Sequence, residues 1–122
     1  MAKNTPFSDI TVLDFSRYLP GGYATQVLAD LGATVIKVED TGLGDFMRHD
    51  YPTKGGGISY YITALGRNKK SVSLNLKNEE VVDWFLKMAQ EADIIVESFR
   101  PGVTAKLGID YESIKKLNPG II

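Results

Sequence analysis

The chain has 122 residues, 43% apolar and 24% charged, which is the length and usage of one ordinary globular domain. Its 14 Lys and Arg residues nearly balance 15 Asp and Glu residues, so the chain has no electrostatic footprint for a nucleic-acid backbone. The absence of cysteine excludes a disulfide framework, a thiolate metal site and a Cys nucleophile. Residues 1–5 lack the apolar core of a signal peptide and no run approaches the length of a membrane span. We therefore expect a cytoplasmic protein that binds neither membrane nor nucleic acid.

The first forty residues have the pattern of a strand, a helix and a second strand. Residues 10–15 are short and mostly apolar, and apolar residues then recur at helical spacing between Pro20 and Gly32, which mark the helix start and end. A second strand is predicted from Thr34 to Val38, with Glu39 at its end as a ribose acceptor or, more simply, a solvated acid. This is the outline of a Rossmann-type βαβ unit, but without the Gly-x-Gly-x-x-Gly fingerprint a simple NAD site is not expected.

Residues 40–59 show no periodicity and are longer than most connections, which predicts a functional or mobile loop. They contain the only histidine, His49, which we expect to be exposed because no second His and no Cys gives metal-ligand spacing. No metal site is therefore expected. A short helix is predicted over Ser59–Leu65 and a third strand over Ser71–Leu76, where apolar residues alternate.

The last third of the chain again alternates helices and strands. Asn78 is predicted to cap a helix with an apolar stripe between Val81 and Ala92. The run Ile94–Val96 is apolar and β-branched, as in a buried parallel strand. Further elements are predicted at Val103–Leu107 (helix), Tyr111–Leu117 (helix) and Ile121–Ile122 (the start of a strand). The sequence therefore predicts an α/β fold, a Rossmann-like parallel sheet with flanking helices that is incomplete at the C-terminus.

Polar and aromatic residues follow several of these strands directly. If the strands are parallel, their carboxyl ends share one edge of the sheet, where ligands bind in open α/β folds. The residues expected there are Leu19, Glu39, Lys77, Phe99 and Arg100, with Lys106 able to reach back. Cations, an aromatic ring and an open helix N-terminus at Gly21–Gly22 suit a phosphorylated ligand that carries an adenine ring. No nucleophile and base pair stands out beside them.

Four segments carry a resemblance to a known family: Val12–Arg17, Leu28–Glu39, Arg67–Lys77 and Ile95–Val103. In this order they are similar to the amino-terminal part of the family III CoA-transferases, which include formyl-CoA and carnitine CoA-transferases and the related alpha-methylacyl-CoA racemases. The resemblance implies that residues 1–122 are the amino-terminal part of a large CoA-binding Rossmann-like domain. It also implies an enzyme whose two chains interlock as a homodimer.

The same resemblance implies coenzyme A or acyl-CoA as the bound substrate and a carboxylic acid as its partner. Carried over position by position, the CoA contacts would be Tyr18, Leu19, Leu74, Asn75, Leu76, Lys77, Ser98, Phe99, Arg100 and Lys106. One position departs from the pattern, because this chain has Asp40 where several relatives have an arginine. That difference would remove a phosphate or adenine contact.

The family's catalytic aspartate, like the racemase bases, lies beyond the point that aligns with Ile122. We therefore expect these 122 residues to contain no catalytic residue and to be inactive alone. Asp14, within the first strand, is expected to be a hydrogen-bonded structural acid. The parent would be either a transferase that moves CoA between an acyl-CoA and a carboxylic acid, or a racemase.

Two other classes of protein fit less well. A receiver-like signalling domain needs acids after its first and third strands, where this chain has Ser16-Arg17 and Leu76-Lys77. A generic nucleotide-binding module is disfavoured by the missing glycine fingerprint.

Overall fold

The structure is a computed structural model that describes residues 5–49, 53–54 and 57–122. A parallel sheet of four strands forms its centre: β1 (Thr11–Phe15), β2 (Thr34–Glu39), β5 (Lys69–Ser73) and β6 (Ile94–Glu97). Their order across the sheet is β5-β2-β1-β6. Two short strands, β3 (Thr53–Lys54) and β4 (Ile58–Ser59), pair with each other in antiparallel fashion.

Helices connect the strands and cover both faces of the sheet. They are α1 (Tyr18–Asp30), α2 (Tyr60–Leu65), α3 (Glu79–Glu91), α4 (Val103–Lys106) and α5 (Tyr111–Leu117), together with a 3-10 helix at Phe46–Arg48. None of the helices in the described ranges is long and apolar enough to cross a membrane. The predicted α/β fold with a parallel sheet and flanking helices is confirmed.

Two apolar clusters lie on opposite faces of β1, as expected for a strand buried on both sides. On one face Val12 packs with Ala29 of α1 and with Val35 of β2. On the other face Leu13 and Phe15 pack with α3 and α5. The rings of Phe15 and Phe85 meet edge to face with centroids 4.5 Å apart, and Phe85 is fully buried.

Helix α3 is positioned by the cap that the sequence predicts. Asn78 precedes the helix, and its side-chain oxygen accepts a hydrogen bond of 2.9 Å from Glu80 N. This bond satisfies one of the amides at the helix start that have no partner within the helix. Phe85 and Ala89 then lie one turn apart on the buried face, which confirms the predicted apolar stripe.

The third strand of the parallel sheet differs from the prediction, because β5 spans Lys69–Ser73 rather than Ser71–Leu76. Its pairing ends where β2 ends, at the pair Glu39 and Ser73. Leu74 N still donates to Glu39 O, and the chain then turns away from the sheet. Leu74 and Leu76 owe their alternating pattern to packing against the apolar core beyond the strand end.

Helix α1 begins earlier than predicted, at Tyr18, so that Pro20 lies in the first turn. A missing N–H is harmless there, since the first amides of a helix have no carbonyl partner within it. The β3–β4 pair falls in the segment predicted as a loop, and strands of two residues are too short to show a period. Residues 50–52 and 55–56 of that segment lie outside the described residues.

Candidate ligand-binding site

A cavity of about 350 Å³ opens at the carboxyl edge of the parallel sheet. Its walls come from the end of β1 and the residues after it (15–17), the end of β2 and the following loop (37–40 and 44–45), the segment after β5 (74–77), and Phe99, Val103 and Leu107. The volume lies within the range typical of small-molecule sites. This position is the one that the parallel strand order predicts for a ligand.

The cavity brings together five of the ten residues that the sequence singles out as CoA contacts: Leu74, Asn75, Leu76, Lys77 and Phe99. The other five do not line it: Tyr18, Leu19, Ser98, Arg100 and Lys106. Of these, Arg100 and Lys106 are exposed on the segment that carries Phe99, Val103 and Leu107.

The segment after β5 is held as a turn by its own side chains. Asn75 Oδ1 accepts a hydrogen bond of 3.2 Å from Lys77 N, and Asn75 O accepts one of 3.0 Å from Asn78 N. Leu74 and Leu76 are partly buried against the core, whereas Asn75 and Lys77 are exposed. The turn therefore presents an apolar surface to the cavity with a cation beside it.

Phe99 is placed by the polar residue that ends β6. The carboxylate of Glu97 accepts a hydrogen bond of 2.7 Å from Phe99 N, which fixes the turn. The ring of Phe99 packs against Phe15, with centroids 6.4 Å apart. Gly102, with φ of +83°, supplies the left-handed conformation needed before α4 starts. One face of the cavity is therefore aromatic.

Arg17 lines the cavity, although it is not among the ten residues predicted as CoA contacts. Its guanidinium lies 5.1 Å from the ring centroid of Phe46 and 5.6 Å from that of Phe99. Its Nη2 is 3.4 Å from Asp40 Oδ2, and its backbone N–H donates to Ser98 Oγ over 2.9 Å. The sequence could have indicated Arg17 as a contact, because it follows the first strand much as Arg100 follows β6.

Tyr18 has a strained backbone, with φ of +62°, a left-handed value that is uncommon for an aromatic residue. Its ring stacks on Phe46, with centroids 5.4 Å apart and planes inclined by 28°. Such conformations persist only where the surroundings enforce them, and they cluster at ligand sites. Here the strained residue is the first residue of α1 and directly follows the cavity-lining Arg17.

A buried polar network lies below the cavity and is centred on Asp14, which is fully buried. Its carboxylate accepts hydrogen bonds of 2.5 Å from Ser16 Oγ and 2.6 Å from Thr25 Oγ1, and one of 3.1 Å from Lys69 Nζ. These contacts tie β1 to α1 and β5. The prediction that Asp14 is a hydrogen-bonded structural acid is confirmed.

The network continues through Lys37, which is buried in β2 and lines the floor of the cavity. Its Nζ lies 2.7 Å from Asp45 Oδ2 and 3.7 Å from Asp14 Oδ2, and it donates to Ser16 O over 2.9 Å. Burial lowers the pKa of the neighbouring Lys69, and the charge of Asp14 acts in the opposite direction. Two lysines and two aspartates thus balance in charge beneath the site.

Glu39, predicted as a ribose acceptor or a solvated acid, is neither. It is buried, and its two carboxylate oxygens accept from Arg48 at 2.6 and 2.7 Å, Asp45 N at 2.9 Å and Ser71 Oγ at 2.7 Å. The hydrogen bonds from Arg48 lower the pKa of Glu39 to about 2. Its acceptor positions are therefore occupied within the protein, and Glu39 anchors the loop that forms one wall of the cavity.

His49 is exposed, as predicted, and its Nε2 lies 2.9 Å from Leu43 O. Over the part of the chain that the structure describes, no group of three or more His, Asp and Glu side chains is placed to hold a metal ion.

The model of CoA-transferase family III matches residues 7–122. Among curated proteins, the chain is similar to an acetyl-CoA:oxalate CoA-transferase from Acetobacter aceti, with 43% identity over 96% of this chain and 30% of that protein. It is also similar to a formyl-CoA:oxalate CoA-transferase from Escherichia coli, with 41% identity over 98% of this chain and 29% of that protein.

Solved structures agree with these matches. A CAIB/BAIF family protein from Brucella suis has a TM-score of 0.90 and 37% identity, over 98% of this chain and 32% of that one. A hypothetical protein from Mycobacterium tuberculosis has a TM-score of 0.88 and 39% identity, over 97% of this chain and 32% of that one. The chain therefore spans about a third or less of the length of these relatives.

Proposed function

The chain belongs to the family III CoA-transferases, and on this premise we propose that its cavity binds the adenine nucleotide end of coenzyme A. The observation that supports the proposal is the meeting of Leu74–Lys77 with Phe99 around one cavity at the carboxyl edge of the sheet. These residues come from two segments that are more than twenty positions apart in sequence, and both segments resemble the family's motifs.

The chemistry of the cavity fits such a ligand. Leu74, Leu76 and the ring of Phe99 offer an apolar and aromatic surface for adenine. Lys77 is exposed at the rim, where its ammonium can meet a phosphate. The 3′-phosphate of CoA carries about -1.5 to -2 charges near neutral pH, as phosphomonoesters do. Because the net charge of the chain is -1, the attraction must come from a few local cations.

We assign the remaining sequence-derived contacts to the margin of the site. Arg100 and Lys106 are exposed on the segment that carries the cavity-lining Phe99, Val103 and Leu107. In this proposal their cations meet phosphates that project from the cavity. Ser98 holds the backbone of Arg17, and Tyr18 and Leu19 follow at the start of α1. These five residues would contact the parts of CoA that leave the cavity.

For the whole enzyme we propose the transfer of CoA from an acyl-CoA to a carboxylic acid. The two curated relatives described above are named as CoA-transferases for oxalate, which favours transfer over racemisation. In this scheme residues 1–122 supply CoA contacts in the large domain of a cytoplasmic homodimer, and the catalytic carboxylate comes from elsewhere in the enzyme.

Calorimetric titration with CoA tests the cavity assignment. Lys77→Ala should weaken binding by about 10-fold or more, since a hydrogen bond to a charged group contributes roughly 1.5–3 kcal/mol. The matched control is Lys87→Ala, which removes another exposed lysine, on α3 outside the cavity, and should leave affinity unchanged. Equal affinities for both variants and the wild type would mean that CoA does not bind at this edge.

A further inference from the structure

Arg17 and Asp40 form an ion pair within the lining of the cavity, with Nη2 and Oδ2 3.4 Å apart. The two side chains are 36% and 40% exposed, so a ligand in the cavity can reach both. A cation that faces a ligand cavity while paired with the protein's own carboxylate offers no net charge to an anion. The pair must therefore open, or be shared, before Arg17 can serve an anionic ligand.

Arg17 is held in place by groups other than Asp40. Its backbone N–H donates to Ser98 Oγ, and its guanidinium lies near the faces of two rings, those of Phe46 and Phe99. Cation–aromatic contacts of this kind position a guanidinium without using its N–H donors. The donors remain free to change partner.

Asp40 is likewise placed without help from Arg17. Its Oδ1 accepts hydrogen bonds from Gly42 N at 2.8 Å and from Gly44 N at 3.3 Å, which is the usual way an aspartate stabilises the turn that follows it. Its second oxygen, Oδ2, is the one directed at Arg17. The carboxylate therefore stands in the cavity as a fixed anion beside a fixed cation.

Resting on the proposed function, we propose that Asp40 is a resident anion that occupies Arg17, and that a phosphate of the ligand replaces it as the partner of the guanidinium. A phosphate matches the two-pronged guanidinium as well as a carboxylate does and carries more charge. The exchange leaves Asp40 near the bound phosphate, so its charge opposes binding. Asp40 thus limits the affinity for anions and selects for ligands with enough phosphate charge to displace it.

Removing the charge of Asp40 from the site should therefore tighten the binding of CoA. Asp40→Asn keeps an oxygen for the amides of Gly42 and Gly44 and removes only the charge. Because the carboxylate and the phosphate would lie within several ångströms of each other at a half-exposed site, CoA should bind about 3- to 10-fold more tightly. Asp83→Asn, on the exposed face of α3, makes the same change in net charge outside the cavity and should have no such effect.

A second variant connects the effect to Arg17. In an Arg17→Gln background, Asp40→Asn should tighten CoA binding less than it does in the wild type, because no guanidinium is released. Dephospho-CoA then identifies the phosphate: a tightening that disappears with it assigns Arg17 to the 3′-phosphate, and one that persists assigns it to the diphosphate. Thermal melts of each variant check that the fold is kept.

The outcomes separate the two proposals. If Lys77→Ala weakens CoA binding while Asp40→Asn leaves it unchanged or weaker, the cavity assignment stands and the resident-anion proposal is overturned. Weaker binding of CoA by Asp40→Asn than by the wild type would show that the carboxylate contacts the ligand directly. If neither the wild type nor Asp40→Asn binds CoA at millimolar concentration, both proposals fall.

Discussion

Removal of the carboxylate of Asp14 tests whether the buried network supports the edge of the sheet. Asp14 is fully buried and accepts from two hydroxyls and from Lys69 Nζ at 3.1 Å, with Lys37 Nζ at 3.7 Å. Asp14→Ala leaves Lys69, whose side chain is 2% exposed, without its carboxylate partner. Breaking a buried ion pair by removing one member costs about 3–5 kcal/mol, so we expect a loss of that size in the free energy of unfolding.

Urea denaturation followed by circular dichroism measures this loss, and a double variant shows its origin. Lys69→Met removes the unpaired charge while keeping most of the apolar volume, so Asp14→Ala with Lys69→Met should be less destabilised than the sum of the single variants. Neighbours of this kind couple by roughly 0.5–3 kcal/mol. Lys37 should add little to the loss of stability, because it keeps Asp45 as an ion-pair partner 2.7 Å from its Nζ.

The reasoning would be refuted by two results. If Asp14→Ala lowers the free energy of unfolding by less than about 1 kcal/mol, the carboxylate is not part of a strong network. Additive single and double variants would show that Asp14 and Lys69 do not interact energetically, whatever the distance between them.

Two further predictions concern the anchoring of the cavity wall and of α3. The pKa of Glu39 is lowered from 4.5 to about 2 by Arg48, so its contribution to stability is complete above about pH 4.5 and is lost as the pH falls toward 2. Glu39→Gln should lower the unfolding free energy at pH 7 by about 1–2 kcal/mol, a value discounted because Arg48 is half-exposed. The variant should also lose less stability in acid than the wild type, whereas the exposed control Glu91→Gln should follow the wild type. Curves of unfolding free energy against pH that run parallel for Glu39→Gln and the wild type would contradict the ion pair. Asn78→Ala removes the cap on Glu80 N and should lower the unfolding free energy by about 1 kcal/mol in a urea titration, whereas no change would mean that water replaces the cap without cost.

Local patterns in the sequence predict the framework of this fold well. Helix α3 was recognisable because Asn78 precedes a stripe with helical period, and both cap and stripe are present. The cavity edge was predictable because parallel strands share a carboxyl edge, which brings Lys77 and Phe99 to one place. The end of β5 could not be predicted, since the alternation of Leu74 and Leu76 is the same whether the partner strand continues or stops.

The contacts that hold the site depend on pairings that no sequence spacing shows. The sequence shows Lys37 only as a polar residue within β2, and its partner Asp45 lies in a segment without periodicity. The strand pattern predicts Glu39 as a ribose acceptor or a solvated acid, because nothing in the sequence shows that its partner is Arg48 of the irregular segment. Arg17, by contrast, could be predicted, because the rule that places Arg100 beyond the end of β6 applies equally to Arg17, the second residue beyond the end of β1.

The most direct test of the account is a titration of the isotope-labelled chain with CoA, followed by the amide resonances in nuclear magnetic resonance spectra. The account predicts saturable shifts that are largest at residues 74–77 and at Phe99, and small at the exposed face of α3. Saturable shifts that leave residues 74–77 and Phe99 unchanged, or no shifts at millimolar CoA, would contradict the assignment of the cavity.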